Sequence, residues 1–421
     1  MVRDVRRSPH VGAAVDVRDA SHARRDAAAV RVRVPRRQLR ARQHSAGRAR
    51  RRSRGGRGRT EIARRRTAAS GRKRGTEMNA LRSRASPAHL VAGLASAAWL
   101  ALGSVAAAQA QPAGQFKSLS HNIHAVNDLD TTLAFYRDVF GFEGRAIDFA
   151  NPAVPLLTNA PGVTLRMSML TLPGGTRYEL THFKGLERQH GVAKYWDPGA
   201  ASVVLYVRDI DALVAAAKNA KAEIVTTGGA PVEIETASGQ ARSIVLRDPD
   251  GYFLQLVQQT PETGAPEGPV LGASLAFTME DAAATQKFYS GMMAVPLSGP
   301  TEFKRDPALA RLVGAPETVE VRKLRGTLPP GTAVEFTEFR GVPRTKFHLR
   351  VRDPGAPAMA INVDNLEGMV AQMKAAGVNV ISANGEIVDF GNGVRNIFVE
   401  DPNGMNLELI YRPATPPPAR Q

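Results

Sequence analysis

The feature that most constrains this chain is that its second half repeats its first. Asp128-Leu-Asp-Thr-Thr-Leu-Ala-Phe135-Tyr136 returns as Asp281-Ala-Ala-Ala-Thr-Gln-Lys-Phe288-Tyr289, 153 residues later. Tyr178-Glu179 and the Gly185 that closes that segment return as Val334-Glu335 and Gly341, 156 residues later. Asp197-Pro-Gly-Ala200 returns as Asp353-Pro-Gly-Ala356, and Asp248-Pro-Asp-Gly251 as Asp401-Pro-Asn-Gly404. Landmarks in one order at nearly constant spacing mean two copies of one domain, and a repeat of this kind decides the architecture before any single element is considered.

Each copy divides again into halves of one pattern. A strand comes first (118–126, 201–207, 273–279, 358–363), an amphipathic helix follows, and then three strands. Leu129, Leu133, Tyr136 and Phe140 recur at helical spacing on one face. Gly141, Gly291 and Gly377 stand where helices should end. The fold class is therefore α+β: four βαβββ modules, two per copy. Expected boundaries are 116–260 for the first domain, a Pro/Gly-rich linker at 261–269, 270–412 for the second domain, and a loose tail at 413–421.

This order resembles the vicinal oxygen chelate (VOC) superfamily, which includes glyoxalase I, bleomycin-resistance proteins and extradiol dioxygenases. The resemblance rests on Leu119-Ser-His121-Asn-Ile-His-Ala-Val126-Asn-Asp128-Leu129, on Phe135-Tyr136-Arg-Asp-Val-Phe-Gly141-Phe142-Glu143, and on Asp401-Pro-Asn-Gly-Met-Asn-Leu-Glu408-Leu. It implies that pairs of modules close into two tandem cups of sheet. In the family's enzymes a divalent metal sits in a cup, held by strands one and four of each half, with open positions for two substrate oxygens.

Carried onto this chain in sequence order, the resemblance gives the first cup His121, Glu179, Ser202 and Gln255, and the second cup Ser274, Glu335, Ala358 and Glu408. His121, Glu179 and Gln255 are then the candidate ligands for Ni²⁺, Zn²⁺, Mn²⁺ or Fe²⁺, with Glu179 as the catalytic proton acceptor. Glu335 and Glu408 mark a degenerate second cup without imidazole. Neither set is the two-His-one-carboxylate triad of an iron dioxygenase. His124 and His182 fall at opposite pleat parity from His121 and Glu179 and should point away from the cup. The Arg344, Lys346, His348, Arg350 and Arg352 cluster is read as an exposed crossover, with an anion site as the other reading.

The net charge of +17 does not argue for nucleic acid. Residues 1–77 hold 25 Lys and Arg against 6 Asp and Glu, so the remaining chain is slightly acidic. That Arg-rich leader, almost without aromatics, is expected to be disordered and to lie upstream of the true start. From Met78 the chain has a secretory signal's grammar: Arg82 and Arg84, an apolar run from Leu90 to Val105, and Ala108-Gln-Ala110 for cleavage. The expectation is an exported protein, periplasmic or secreted, with no stable membrane anchor, as a monomer or homodimer. The absence of cysteine excludes disulfides, thiolate nucleophiles and zinc–thiolate sites. Three functions fit: a metal-assisted enzyme of the glyoxalase or isomerase-lyase type, a metal-free protein that sequesters a small molecule, and a structural protein whose second copy caps the first. An extradiol-type dioxygenase is the weakest alternative.

Overall fold

The computed structural model describes residues 114–414. The leader at 1–77, the signal segment at 78–110 and most of the tail lie outside the described residues. Among the described residues no helix is long and apolar enough to cross a membrane.

Module one contains β1 (Phe116–Ala125), α1 (Leu129–Phe140), β2 (Ile147–Phe149), α2 (Val154–Leu157), β3 (Thr164–Thr171) and β4 (Arg177–Lys184). Module two follows with β5 (Ala201–Val207), α3 (Ile210–Asn219), β6 (Glu223–Ile224), β7 (Val232–Thr236), β8 (Gly239–Arg247) and β9 (Phe253–Gln258). Module three has β10 (Val270–Met279), α4 (Ala282–Gln286), β11 (Lys304–Arg305), α5 (Pro307–Val313), β12 (Glu320–Leu328) and β13 (Thr332–Arg340). Module four has β14 (Pro357–Val363), α6 (Leu366–Ala375), β15 (Val388–Gly391), β16 (Val394–Glu400) and β17 (Asn406–Tyr411).

The first helix of each module starts on a side chain suited to start it. Asp128, Asp209, Asp281 and Asn365 each accept a hydrogen bond from the backbone N–H three residues on, satisfying a donor the helix itself cannot. Gly141 ends α1 at φ 72°, as expected from sequence. Gly291 does not end its helix. It sits inside a π-helical turn, Lys287–Met292, that extends α4, and the left-handed residue is Ala294 at φ 57°.

Two curled sheets result, as the sequence predicts, but their composition differs from the sequence-order grouping. One runs β15-β16-β17-β14-β1-β4-β3-β2, and the other runs β11-β12-β13-β10-β5-β9-β8-β6, with β7 on β8. Module one therefore closes with module four, into an outer cup, and module two with module three, into an inner cup. The seams are antiparallel: β1 on β14, with His121 opposite Ala360, and β10 on β5, with Ser274 opposite Val204. The physical reason lies in the connections. The stretch from Gln258 to Val270 is short enough to keep β9 and β10 in one sheet, on either side of β5. The longer segments 185–200 and 341–356 carry the chain from one sheet to the other and back.

Those two crossovers hold each other by matching bonds. Asp197 Oδ1 accepts the Thr345 N–H at 3.0 Å, and Asp353 Oδ1 accepts the Gln189 N–H at 2.9 Å. Beside each aspartate a glycine is required: Gly199 and Gly355 lie at φ 92° and 89°, and a Cβ on Gly199 would stand 2.3 Å from the Phe347 carbonyl oxygen. The cations of the second crossover are used locally. Arg344 donates to the carbonyls of Met279 and Glu280, Lys346 pairs with Glu280, and Arg350 forks onto Asp353.

α1, α3, α4 and α6 cover the convex faces of both sheets, where one continuous apolar core runs through Leu129, Tyr136, Ile210, Tyr289, Leu366 and Leu407. The concave faces carry separate clusters. Ile123, Phe183, Ala360, Phe398 and Ile410 line the outer cup, with Val154 and Leu157 of α2 above them. Val204, Val257 and Ala276 line the inner one.

Candidate functional site

The exchange of modules redistributes the candidate ligands. The outer cup brings together His121 on β1, Glu179 on β4 and Glu408 on β17, with Ala358 at the remaining equivalent position. The inner cup holds Ser202, Gln255, Ser274 and Glu335. Gln255 therefore does not join His121 and Glu179, and Glu408 does not face Glu335. The sequence grouping paired the modules in chain order, and the antiparallel seam between β1 and β14 replaces it.

In the outer cup His121 Nε2 lies 3.2 Å from Glu179 Oε2 and 3.9 Å from Glu408 Oε2. His121 Nδ1 is 3.0 Å from Ser120 Oγ. Glu179 Oε1 accepts the Thr181 hydroxyl at 2.6 Å, and Glu408 Oε1 accepts the Asn396 amide at 2.7 Å. These groups sit beside a cavity of about 290 Å³ whose other walls are apolar, among them Phe149, Leu165, Met167 and Val351, with Arg412 the one lining cation. The alternation of β4 puts Glu179, Thr181 and Phe183 on the cavity, and leaves His182 on the other face.

Electrostatics separates the two carboxylates. Burial raises Glu408, and the nearby Glu179 adds to it; His121 and the Asn396 amide oppose this only in part, so its carboxyl is pushed up to about 7. Burial also works against an ionised Glu179, but the hydrogen bond and charge of His121, with Thr181 and Arg177, bring it below the usual carboxylate range. Burial would lower His121; the Glu179 bond and the charges of Glu179 and Glu408 outweigh it and raise the imidazole. Two buried carboxylates thus share a single imidazole, one ionised and the other holding its proton up to about pH 7.

The inner cup is built differently. Glu335 Oε1 takes Lys323 Nζ at 2.8 Å, and Glu335 Oε2 takes Arg325 Nε at 2.8 Å. Burial would raise this carboxyl too, but the two cations hold it low. Gln255 donates its amide to Ser243 Oγ at 3.1 Å, and Ser274 Oγ meets the Tyr206 hydroxyl at 3.1 Å.

A third group of ligand-type side chains, His124, Asp248 and Asp250, has its atoms within 4.8 Å of one another. It lies on the convex side, between β1 and the turn from β8 to β9, and is sealed from solvent. His124 Nε2 is 2.8 Å from Asp248 Oδ2. Asp248 also accepts Tyr136 Oη and the backbone N–H groups of Asp250 and Tyr252, while Asp250 accepts the Asn127 N–H and the Thr132 hydroxyl. The other copy repeats this framework as Tyr289 on Asp401, and Thr285 and the Glu280 N–H on Asn403, with Phe277 in place of His124. A base and an acid are thus present together in one copy and missing together in the other. The group is a buried ion pair: its carboxylate oxygens already accept hydrogen bonds from Tyr136, Thr132 and backbone N–H groups, while His124 Nδ1 has no hydrogen-bond partner among the described residues.

Sequence reasoning missed several groups. Thr181 was within reach, since it shares the parity of Glu179. Lys323 and Arg325 stand 156 residues after Met167 and Met169, so extending the repeat would have found them. Asn396, Val351 and Arg412 reach the site only through the module exchange.

The family model for the Glyoxalase/Bleomycin resistance protein/Dioxygenase superfamily matches residues 118–256 and 273–409. A lactoylglutathione lyase of Pseudomonas putida is 29% identical over 169 residues, covering 37% of this chain and 92% of its own length. Among solved structures, glyoxalase I from Zea mays aligns at 20% identity and TM-score 0.47, covering 70% of this chain and 92% of that one. A putative dioxygenase from Bacillus subtilis aligns at 14% identity and TM-score 0.46, covering 72% and 87%.

Proposed function

Because the chain belongs to the Glyoxalase/Bleomycin resistance protein/Dioxygenase superfamily, we propose that the outer cup is the centre of a metal-dependent enzyme of glyoxalase or isomerase-lyase type. The observation that carries this reading is the convergence of His121, Glu179 and Glu408 beside one cavity. The donors fit a divalent ion: one imidazole and two carboxylates, with Ala358 offering no competing ligand. A metal held there would polarise two oxygens of a substrate.

The chain's own groups divide the remaining work. Glu179, kept ionised by His121, Thr181 and Arg177, supplies fixed negative charge. Glu408 Oε2 is the second carboxylate oxygen facing His121, while Asn396 fixes its other oxygen. Glu179 and Glu408 are both placed to accept a proton, where the sequence favours Glu179 alone. The apolar walls exclude water and select a small molecule with an apolar body. The lactoylglutathione lyase relative supports the reaction class. A dioxygenase fits less well, because the set has one histidine where two are expected.

The second reading, metal-free sequestration in the same cup, has one observation in its favour: the direct His121–Glu179 contact lets the site satisfy itself without an ion. Metal content of the purified chain, measured by mass spectrometry after loading with Ni²⁺, Zn²⁺, Mn²⁺ or Fe²⁺, separates the two. Near-stoichiometric metal that disappears in His121→Ala, Glu179→Ala and Glu408→Ala, and survives in Gln255→Ala, supports the enzyme. Absence of metal under every loading condition refutes it in favour of sequestration. Export from the cell belongs to the same proposal and rests on the segment 78–110 alone; an N-terminus mapped near Gln111 on the protein recovered from cells is the result it requires.

A further inference from the structure

The inner cup has the shape of a binding site but the wrong charge for a metal. Its cavity is about 330 Å³, with Val204, Val257 and Ala276 on the apolar wall and Tyr206 and Ser274 presenting hydroxyls. Glu335 is the internal counterpart of Glu179. Across from it, β12 carries Lys323 and Arg325 where β3 carries Met167 and Met169, as the registers of Arg325 with Glu335 and of Met169 with Glu179 show. Both oxygens of Glu335 are therefore occupied by cations of the protein itself. The positions that match His121 and Glu408 are the neutral Ser274 and Gln255. Two cations thus meet one carboxylate: the Lys323 side chain, 22% exposed, reaches the interior, while that of Arg325, 63% exposed, stands toward the mouth. Glu235, the other acid on the lining, stands at the exposed rim and takes the Gln240 amide instead.

We infer that the inner cup is a metal-free binding site for a small organic monoanion, in which Lys323 and Arg325 supply the positive charge that a bound cation would supply in the outer cup. Lys323 keeps two ammonium hydrogens beyond its Glu335 contact, and Arg325 keeps both of its terminal nitrogens, so each can donate to a ligand carboxylate while holding Glu335. The cavity walls accept an aromatic or branched aliphatic body behind that carboxylate. This inference stands independently of the chemistry of the outer cup.

The test is calorimetric titration of the full chain, stripped of divalent cations by a chelator, with phenylacetate, and with neutral phenylacetamide as the control. One equivalent of phenylacetate is expected to bind and phenylacetamide much more weakly. His121→Ala, in the outer cup, should leave this binding unchanged. Lys323→Met, which installs the residue that Met167 already places on the matching strand, should weaken it about tenfold, and Glu335→Gln should tighten it several-fold by removing the opposing charge. The two variants must move affinity in opposite directions, and Glu335→Gln gives its own reading should Lys323→Met fold poorly. Absence of phenylacetate binding, binding abolished by His121→Ala, or binding that neither inner-cup variant changes would each overturn the inference.

Discussion

His121 and Glu408, from the first and last strands of the described chain, meet at 3.9 Å across the seam of a single cup. That contact joins modules that lie farthest apart in sequence. Glu179 Oε2 approaches the same His121 nitrogen, so Glu408, raised chiefly by burial, has a second carboxylate beside it.

A stability signature follows for the metal-free protein. A carboxyl raised from 4.5 to about 7 keeps its proton in the folded state after the unfolded chain has lost it. Stability therefore falls as pH rises through that window, and the cost is fully present above it. His121, raised by the same neighbours, acts with the same sign: what it contributes is present below 6.5 and lost as pH passes its folded value. Chelator-treated protein should lose stability between pH 5 and pH 8 relative to Glu408→Gln, by on the order of 1–3 kcal/mol. Paired thermal melts at the two pH values check this, and equal pH responses would contradict it.

The buried His124–Asp248 pair gives a prediction of a different kind. His124→Phe leaves Asp248 and Asp250 without their cation in a closed core, and should cost about 3–5 kcal/mol. Adding Asp250→Asn reproduces the Phe277, Asp401 and Asn403 set of the second copy and should recover most of that loss. Denaturant unfolding of the single and double variants measures the recovery. An equally damaged double variant would mean that the histidine serves some purpose beyond charge.

The crossovers should be sensitive to their reciprocal bonds. Asp353→Ala removes the acceptor for the Gln189 N–H and for the Arg350 guanidinium, and is expected to cost about 1–3 kcal/mol. Gly199→Ala should cost at least as much, because its Cβ would meet a backbone oxygen and not a movable side chain. Chemical denaturation of each variant at neutral pH provides the comparison.

Most of the architecture was legible because it is local. The Asp and Asn caps, the apolar helix faces and the period-two strands are properties of short windows, and the duplication multiplied each signal. The glycine turn at Gly251 is of the same kind. Gly291 misled because a π-helical turn keeps the helical spacing while moving its end. Strand parity correctly turned His124 and His182 away from the cavity. What short windows cannot show is which module faces which, since each could complete a cup with either neighbour. Gln255 was placed beside His121 for that reason alone. The choice is made by connection length and by the seam between β1 and β14, neither of which leaves a residue signature at the site.

The pairing of modules also sets an order of assembly. The inner cup joins modules adjacent in the chain across the short stretch between Gln258 and Val270, so its closure costs little entropy and can be complete early in synthesis. The outer cup must wait for β14 to β17, the last elements made, before β1 finds its antiparallel partner. Until then the open edge of β1 stays exposed, and a chain cut short before Glu408 would carry a finished inner cup beside an outer one lacking its second carboxylate.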